Sequence, residues 1–338
     1  TAGWQVAPAL ATGNAVVLKP SELTPVTSLC LAKLALAAGL PPGALNVLAG
    51  LGATAGDALV RHPEIGKVVF VGSQPTGRAI AVAAAGRLTP CLLELGGKSA
   101  VIVFADADLK RAALGAQAAI FAAAGPSCTA GSRLLVQRPV HDELLALVAG
   151  GAEHLRLGPP REDATEVGPI QNARQHARIA ELVATGPAEG AELITGGGRP
   201  ADPRLARGYY FAPTVLGGVT PAMTVAREEI FGPVLAVTPF GDEDEAVALA
   251  NAGPYDLAGG VWTRDVGRAH RMAARVRAGT FWINGGKALG VMSPFGGMRG
   301  SGYGRSSGSD ALLEYTRPKS VWVETAADPL QPFGRLPD

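Results

Sequence analysis

Short β-branched runs alternate with Ala- and Leu-rich stretches from Asn14 to about Gly97. Ala15-Val16-Val17-Leu18, Ala44 to Leu48, Lys67 to Val71 and Cys91 to Leu95 are strand candidates. Between them Pro25 to Ala38, Thr54 to Val60 and Pro75 to Ala84 have helical character. Strands that are apolar at nearly every position suit a parallel sheet with both faces covered by helices, because neither face then meets water. Right-handed crossovers turn such a series into a doubly wound α/β fold. Ahead of it, Trp4 to Leu10 read as a helix already under way.

From Ser99 to about Gly297 the style repeats with longer elements. Val101 to Phe104 and Ser132 to Val136 predict strands; Asp108 to Ala123, Asp142 to Leu155 and Arg174 to Leu182 predict helices. Gly158 to Val167 and Gly196 to Arg207 are rich in Gly, Pro and charge, and predict surface loops. The segment Ala326 to Asp338, with three prolines and no periodicity, predicts an exposed arm.

The chain has 338 residues, of which 47% are hydrophobic and 17% charged, which is enough apolar material for two domains. A formal net charge of +1 supplies no field for nucleic acid or an anionic membrane, so neither is expected as a partner. No uncharged apolar run is long enough to span a bilayer, since Lys33 interrupts Leu29 to Leu40. Three cysteines, Cys30, Cys91 and Cys128, make no disulfide framework and fit a reducing, cytoplasmic compartment.

Cys30 and Cys91 sit in apolar runs, as structural cysteines do. Cys128 sits instead in Ala124-Gly125-Pro126-Ser127-Cys128-Thr129-Ala130-Gly131-Ser132-Arg133, among small and polar neighbours. Small neighbours admit a substrate carbonyl, and N–H groups in such a turn can stabilise an oxyanion. Read alone, the segment serves equally as a loop with an idle thiol. Glu94, in Leu93-Glu94-Leu95-Gly96-Gly97-Lys98-Ser99, lies at a strand end, where a doubly wound sheet opens its ligand crevice. A partly buried carboxylate there can act as a general base; a capping role or a salt bridge to Lys98 is the plainer alternative.

Glu94 to Ser99 and Ser127 to Arg133, 34 positions apart from glutamate to cysteine, resemble the two active-site signatures of the aldehyde dehydrogenase superfamily, of the NAD-dependent, non-acylating type. The resemblance extends through Val17-Leu18-Lys19-Pro20-Ser21-Glu22, Phe70-Val71-Gly72-Ser73, Glu228 to Val234 and Ser293-Pro294-Phe295-Gly296-Gly297. It implies that Cys128 attacks an aldehyde and that Glu94 activates the water that hydrolyses the resulting thioester. It further implies that Lys19 and Glu22 meet the adenosine ribose, Gly72 and Ser73 the pyrophosphate, and Glu229 and Phe231 the nicotinamide ribose and ring. A carboxylate at Glu22 would repel a 2′-phosphate, which favours NAD over NADP. Asn284 and Phe295 correspond to the aldehyde tunnel, and the apolar loop Lys287 to Met292 suggests a hydrophobic or aromatic substrate. No metal is implied. Tyr315 to Trp322 resembles a closing strand that joins subunits, so a homodimer or homotetramer is expected.

On this resemblance residues 1–96 are the C-terminal portion of an NAD-binding domain and 97–300 a catalytic domain. Residues 301–338 form a C-terminal segment with the oligomerisation strand and the arm. The chain departs from the family in four places. A Pro-Trp-Asn-Phe-Pro segment, whose asparagine completes the oxyanion hole, would precede Thr1; losing one such donor costs about 10²–10³ in turnover. A lysine is replaced by Gln5 and a glutamate by Ser306, both at positions implicated in proton relay. Asn and Gln before the cysteine are replaced by Ala123 and Pro126, and Pro126 removes an N–H beside the nucleophile. The expectation is an aldehyde-oxidising enzyme seen without its N-terminal part. The alternatives are a catalytically silent cofactor-binding or structural paralogue, a coenzyme-A-acylating relative, and a cysteine hydrolase using His141, itself expected to be a solvated helix-start residue.

Overall fold

The computed structural model describes residues 1–325 and 327, so almost all of the expected arm lies outside the described residues. The chain runs α1 (Ala2–Ala11), β1 (Val16–Leu18), α2 (Val26–Ala37), β2 (Leu45–Val47), α3 (Asp57–Arg61), β3 (Val68–Val71), α4 (Gln74–Ala85) and β4 (Cys91–Glu94). It continues through β5 (Ala100–Val103), α5 (Leu109–Phe121), β6 (Arg133–Gln137), α6 (His141–His154), α7 (Ala173–Ala188), β7 (Glu192–Thr195), β8 (Thr214–Gly217) and α8 (Thr224–Arg227). The last elements are β9 (Val234–Phe240), α9 (Glu243–Ala250), β10 (Ala258–Trp262), α10 (Val266–Arg275), β11 (Thr280–Ile283), β12 (Gly302–Tyr303) and α11 (Asp310–Glu314).

The larger sheet has the order β11-β10-β5-β6-β9-β8-β7 and is parallel except where β7 runs against β8. Both faces are buried, and the side chains of β6 show how. Leu134 and Val136 point into a core shared with Ile120, Phe121, Leu144 and Val148 of α5 and α6. Leu135, one position out of phase, packs with Phe240, Ala246 and Met272 on the α9–α10 face. Period-two alternation with apolar residues in both phases is what a sheet covered twice requires. Four helices of this region begin on side-chain caps, from Asp108, Asn172, Asp242 and Asp265, each accepting from a backbone N–H three residues on.

The first region differs from a single continuous sheet. β1 pairs only with β2, while β3, β4 and β12 form a separate sheet. An open cleft of about 2330 Å³ lies between them, lined by β1 and β3, neither of which has a second strand partner among the described residues. The helix expected over Thr54 to Val60 splits into a wide π-type turn at Gly52–Gly56 and the short α3, since two glycines weaken its first turn. Cys30 is exposed rather than structural: α2 is apolar on all sides, so its sequence does not reveal which face meets water. Tyr315 to Trp322 forms no strand within the chain, and Val321, Trp322 and Val323 lie exposed.

Candidate active site

β4 delivers Glu94 at its C-terminal end, flanked by β3 on one side and β12 on the other. The Glu94 carbonyl accepts a 3.0 Å hydrogen bond from the N–H of Gly72, tying the residue after β3 to the carboxylate's own backbone. The side chain is buried at 5% exposure. Its Oε1 accepts from the Ser306 hydroxyl at 2.8 Å, and its Oε2 has no protein partner. Burial pushes the carboxyl up to about 7, against the pull of Ser306 and Arg305, with Glu314 adding to the rise. A carboxylate so placed can exchange protons at neutral pH.

Cys128 follows an abrupt end of α5. Ala123, Ala124 and Gly125 take successive positive φ values of 56°, 61° and 90°, which throws the chain out of the helix and into the loop. A Cβ on Gly125 would stand 2.3 Å from the backbone of Gly232, so the loop rests directly on the Phe231–Pro233 turn. The thiol is half-buried. Burial, with Glu94 and Glu229 nearby, pushes it up to about 11, while the N–H groups of Cys128 and Thr129 favour its charged form. His141, the first residue of α6, bonds Asp142 through Nδ1, and its Nε2 is buried without a partner; it is not solvated as expected.

The glycine pair after β4 brings these pieces together. A Cβ on Gly97 would lie 2.3 Å from the Cys128 carbonyl oxygen, and one on Gly96 would lie 2.0 Å from Oε2 of Glu229. The Gly97 N–H donates to Oε1 of Glu229 at 2.9 Å. Lys98 makes no ion pair with Glu94. It is fully enclosed, its ammonium lowered to about 7 chiefly by burial, and its Nζ is without a hydrogen-bond partner. Arg133 is committed to structure: its guanidinium donates to the carbonyls of Lys98, Leu249 and Ala250 at 2.7–2.8 Å, the latter two at the C-terminal end of α9.

The remaining predicted residues fall into two groups. Lys19 Nζ donates to the carbonyls of Pro20 and Gly50, and it lines the cleft with exposed Glu22. Gly72 and Ser73 lead into α4, with the Ser73 hydroxyl bonded to that of Thr76 at 3.0 Å. Phe231, at φ 56°, is 41% exposed beside the Cys128 loop. The Asn284 side chain is engaged on both sides by the backbone of Thr263. Phe295 is buried, meets Trp4 edge-on with ring centroids 5.5 Å apart, and exchanges two 2.7 Å backbone hydrogen bonds with Ser306. Cys128, Glu94 and Glu229 thus share one locality and Phe295 joins it through Ser306, whereas Lys19 and Glu22 stand at the β1 side of the cleft. The sequence placed Trp4 only in a helix and revealed neither its contact with Phe295 nor the packing role of Gly96 and Gly97. Adjacent glycines directly after a buried strand were the available signal.

Residues 1–321 match the aldehyde dehydrogenase family. The betaine aldehyde dehydrogenase of Rhizobium leguminosarum bv. trifolii (strain WSM2304) is 47% identical over 320 residues, covering 95% of this chain and 65% of that protein. That of Bacillus subtilis (strain 168) is 44% identical over 324 residues, covering 96% and 66%. The structure of betaine aldehyde dehydrogenase from Staphylococcus aureus in complex with NAD+ superposes with a TM-score of 0.92 at 39% identity, covering 93% of this chain and 62% of that one. PnpE from Pseudomonas sp. WBC-3 superposes with a TM-score of 0.95 at 42% identity, covering 98% and 68%. The chain spans about 65% of the length of the curated relatives it matches.

Proposed function

The chain belongs to the aldehyde dehydrogenase family, and from that premise we propose that it oxidises an aldehyde to a carboxylic acid with NAD, through Cys128 as nucleophile and Glu94 as general base. The observation that carries this reading is the contact of Gly97 with the Cys128 backbone. It packs the loop bearing the thiol against the end of the strand bearing the carboxylate, with Glu229 bonded to the same glycine.

The residues present fit a dinucleotide. Gly72 and Ser73 open a twelve-residue helix whose first-turn N–H groups at Gln74 and Thr76, Pro75 having none, suit a pyrophosphate. Glu22 offers acceptors to ribose hydroxyls and would repel a 2′-phosphate, in favour of NAD over NADP. Glu229 and Phe231 would hold the nicotinamide end beside Cys128. Bound NAD supplies the hydride acceptor. Cys128 releases its thiol proton to solvent as Sγ adds to the aldehyde carbon, and the N–H groups of the Cys128 turn stabilise the oxyanion. Once the thioester has formed, Glu94 takes a proton from water, which attacks the acyl carbon and releases the acid and the Cys128 thiol.

Phe295 and the loop Lys287 to Met292 would line the aldehyde path. That loop exposes Leu289, Val291 and Met292 and carries no carboxylate, which favours an apolar or aromatic aldehyde over a cationic one. Residues 1–96 would form the cofactor-binding part and 97–300 the catalytic part, with β12 of the C-terminal segment returning to pair with β4. Exposed Val321, Trp322 and Val323 suit strand pairing with a second copy, giving a homodimer or homotetramer. Free cysteines suit a cytoplasmic setting.

The test is NADH formation across betaine aldehyde, aliphatic and aromatic aldehydes, with and without coenzyme A. Turnover should be lost in Cys128→Ser, and Glu94→Gln should retain an initial burst of NADH but slow steady turnover. Ordinary turnover by Cys128→Ser would rule out the covalent route. Acyl-CoA as product would indicate the acylating chemistry, and NAD binding without any NADH a silent paralogue.

A further inference from the structure

Gln5 and Ser306 are 301 positions apart in sequence, yet they join in one hydrogen-bonded chain that ends on Glu94. The phenol of Tyr315 donates to Oε1 of Gln5 at 2.8 Å. The Gln5 amide donates through Nε2 to the Ser306 hydroxyl at 2.7 Å. That hydroxyl donates to Oε1 of Glu94 at 2.8 Å. Every donor in the series points toward the carboxylate.

We propose that Gln5 and Ser306 are positioning residues for Glu94, a neutral chain that holds the carboxylate in one orientation and supports its charged form. This rests on the reading of Glu94 as the base that serves Cys128. The direction of each bond follows from its neighbours. A phenol that donates must meet the carbonyl end of the Gln5 amide, which leaves the NH₂ end for Ser306. Having accepted from Gln5, Ser306 has its own hydrogen free for Glu94. Tyr315 stays protonated, since burial, Glu314 and Glu94 all raise its phenol. An amide does not readily shuttle protons, so the chain steadies Glu94 rather than carrying its proton away.

The supports are rigid on both sides. Ser306 is 1% exposed and bridged to Phe295 by two backbone hydrogen bonds. Gln5 lies on α1 one residue after Trp4, which packs on that same Phe295. The charged and titratable groups coupled to Glu94 are Arg305, which favours its ionised form, Glu314, which opposes it, the Cys128 thiol and the Tyr315 phenol. Glu314 is itself paired with Lys67. Against burial, the Ser306 hydroxyl is the largest influence favouring the ionised carboxylate.

The experiment follows alkylation of Cys128 by iodoacetamide against pH, reading the Cys128 peptide by mass spectrometry so that exposed Cys30 does not contribute. Burial, with ionised Glu94 and Glu229, holds the thiol protonated, so ionisation of Glu94 should break the logarithm of the rate near pH 7 in the unaltered protein. Glu94→Gln should remove the break near pH 7 and leave only the influence of Glu229, which acts on the same thiol. Ser306→Ala should move it upward by about one pH unit, the scale of a lost hydrogen bond to a charged group. Gln5→Leu should move it the same way by less, and the double variant should go no further than Ser306→Ala, because Gln5 acts through Ser306. A merely structural role would change the melting temperature and leave the break in place. No break in the unaltered protein, or a break unmoved in both single variants, overturns the proposal; should Ser306→Ala fail to fold, Gln5→Leu decides. Alkylation requires no turnover, so a protein that makes no NADH but whose break moves would count against the proposed oxidation and not against this chain.

Discussion

Gly97 and Cys128 meet backbone to backbone: a single added methyl on Gly97 would stand 2.3 Å from the Cys128 carbonyl oxygen and 3.3 Å from the Leu257 Cβ. The nearest obstacle is main chain, which cannot rotate aside as a side-chain tip would. Gly97→Ala must therefore push the cysteine loop away from the end of β4. Overpacking of this kind costs about 1–3 kcal/mol, and misplacing a nucleophile by an ångström costs about 10²-fold in rate. Both are expected for Gly97→Ala, from urea denaturation and from the NADH burst. Native stability together with a native burst would show that the contact does not position the thiol.

Glu94 couples stability to pH in an unusual direction for a carboxylate. Its folded value of about 7 lies above that of the free side chain, so the native state keeps a proton that the unfolded chain has already released. Stability from this group is fully present below pH 4.5 and declines as pH rises to about 7. The swing is on the order of 3 kcal/mol. Glu94→Gln should flatten that window, leaving the variant more stable than the parent at pH 8 relative to pH 4. Melting temperatures measured across this range, compared as a difference between the two proteins, provide the check.

Ala123 holds a left-handed conformation, φ 56° and ψ 34°, while exposed to solvent. That geometry costs an L-residue with a Cβ about 1–2 kcal/mol, and asparagine tolerates it better than alanine. Ala123→Asn should therefore raise stability by up to about 1 kcal/mol with little loss of activity, read as a shift in melting temperature. A lowered melting temperature would mean that the turn after α5 is relaxed as it stands.

Arg133 spreads its guanidinium over carbonyls of two separate segments in a buried setting. A lysine keeps the charge but cannot present the planar fork, so Arg133→Lys should lose most of what Arg133→Ala loses. The expected cost of the alanine change is about 3–5 kcal/mol, since several buried carbonyls are left unmet at about 1–3 kcal/mol each. Chemical denaturation of both variants distinguishes this from a simple charge effect, in which lysine would restore stability.

Much of this protein was legible along the chain because its determinants are local. The apolar runs of β3, β4, β5 and β6 announce buried parallel strands, and each formed within a residue or two of its expected limits, but β3 borders the cleft and leaves Val71 exposed. Cys128 stood out because small and polar neighbours set it apart from the apolar surroundings of Cys30 and Cys91. The apolar pattern of α2 says nothing of its exposed face, and Cys30 therefore turned out to be exposed. The four early strands form two sheets and not one, since strand adjacency depends on which edges find partners rather than on the strands' own composition.

By itself, then, the sequence determined which segments become strands and helices, which thiol is chemically distinctive, and to which family the chain belongs. Periodicity, turn residues and short motifs are all written over a few neighbouring positions. Only the tertiary structure decided that Glu94 sits near neutrality, because that value depends on burial and on a hydroxyl 212 positions away. It alone brought Gln5, Ser306 and Tyr315 into one directed chain, and it alone explained Gly96 and Gly97. In each case the controlling partner is distant in sequence and close only in the folded chain.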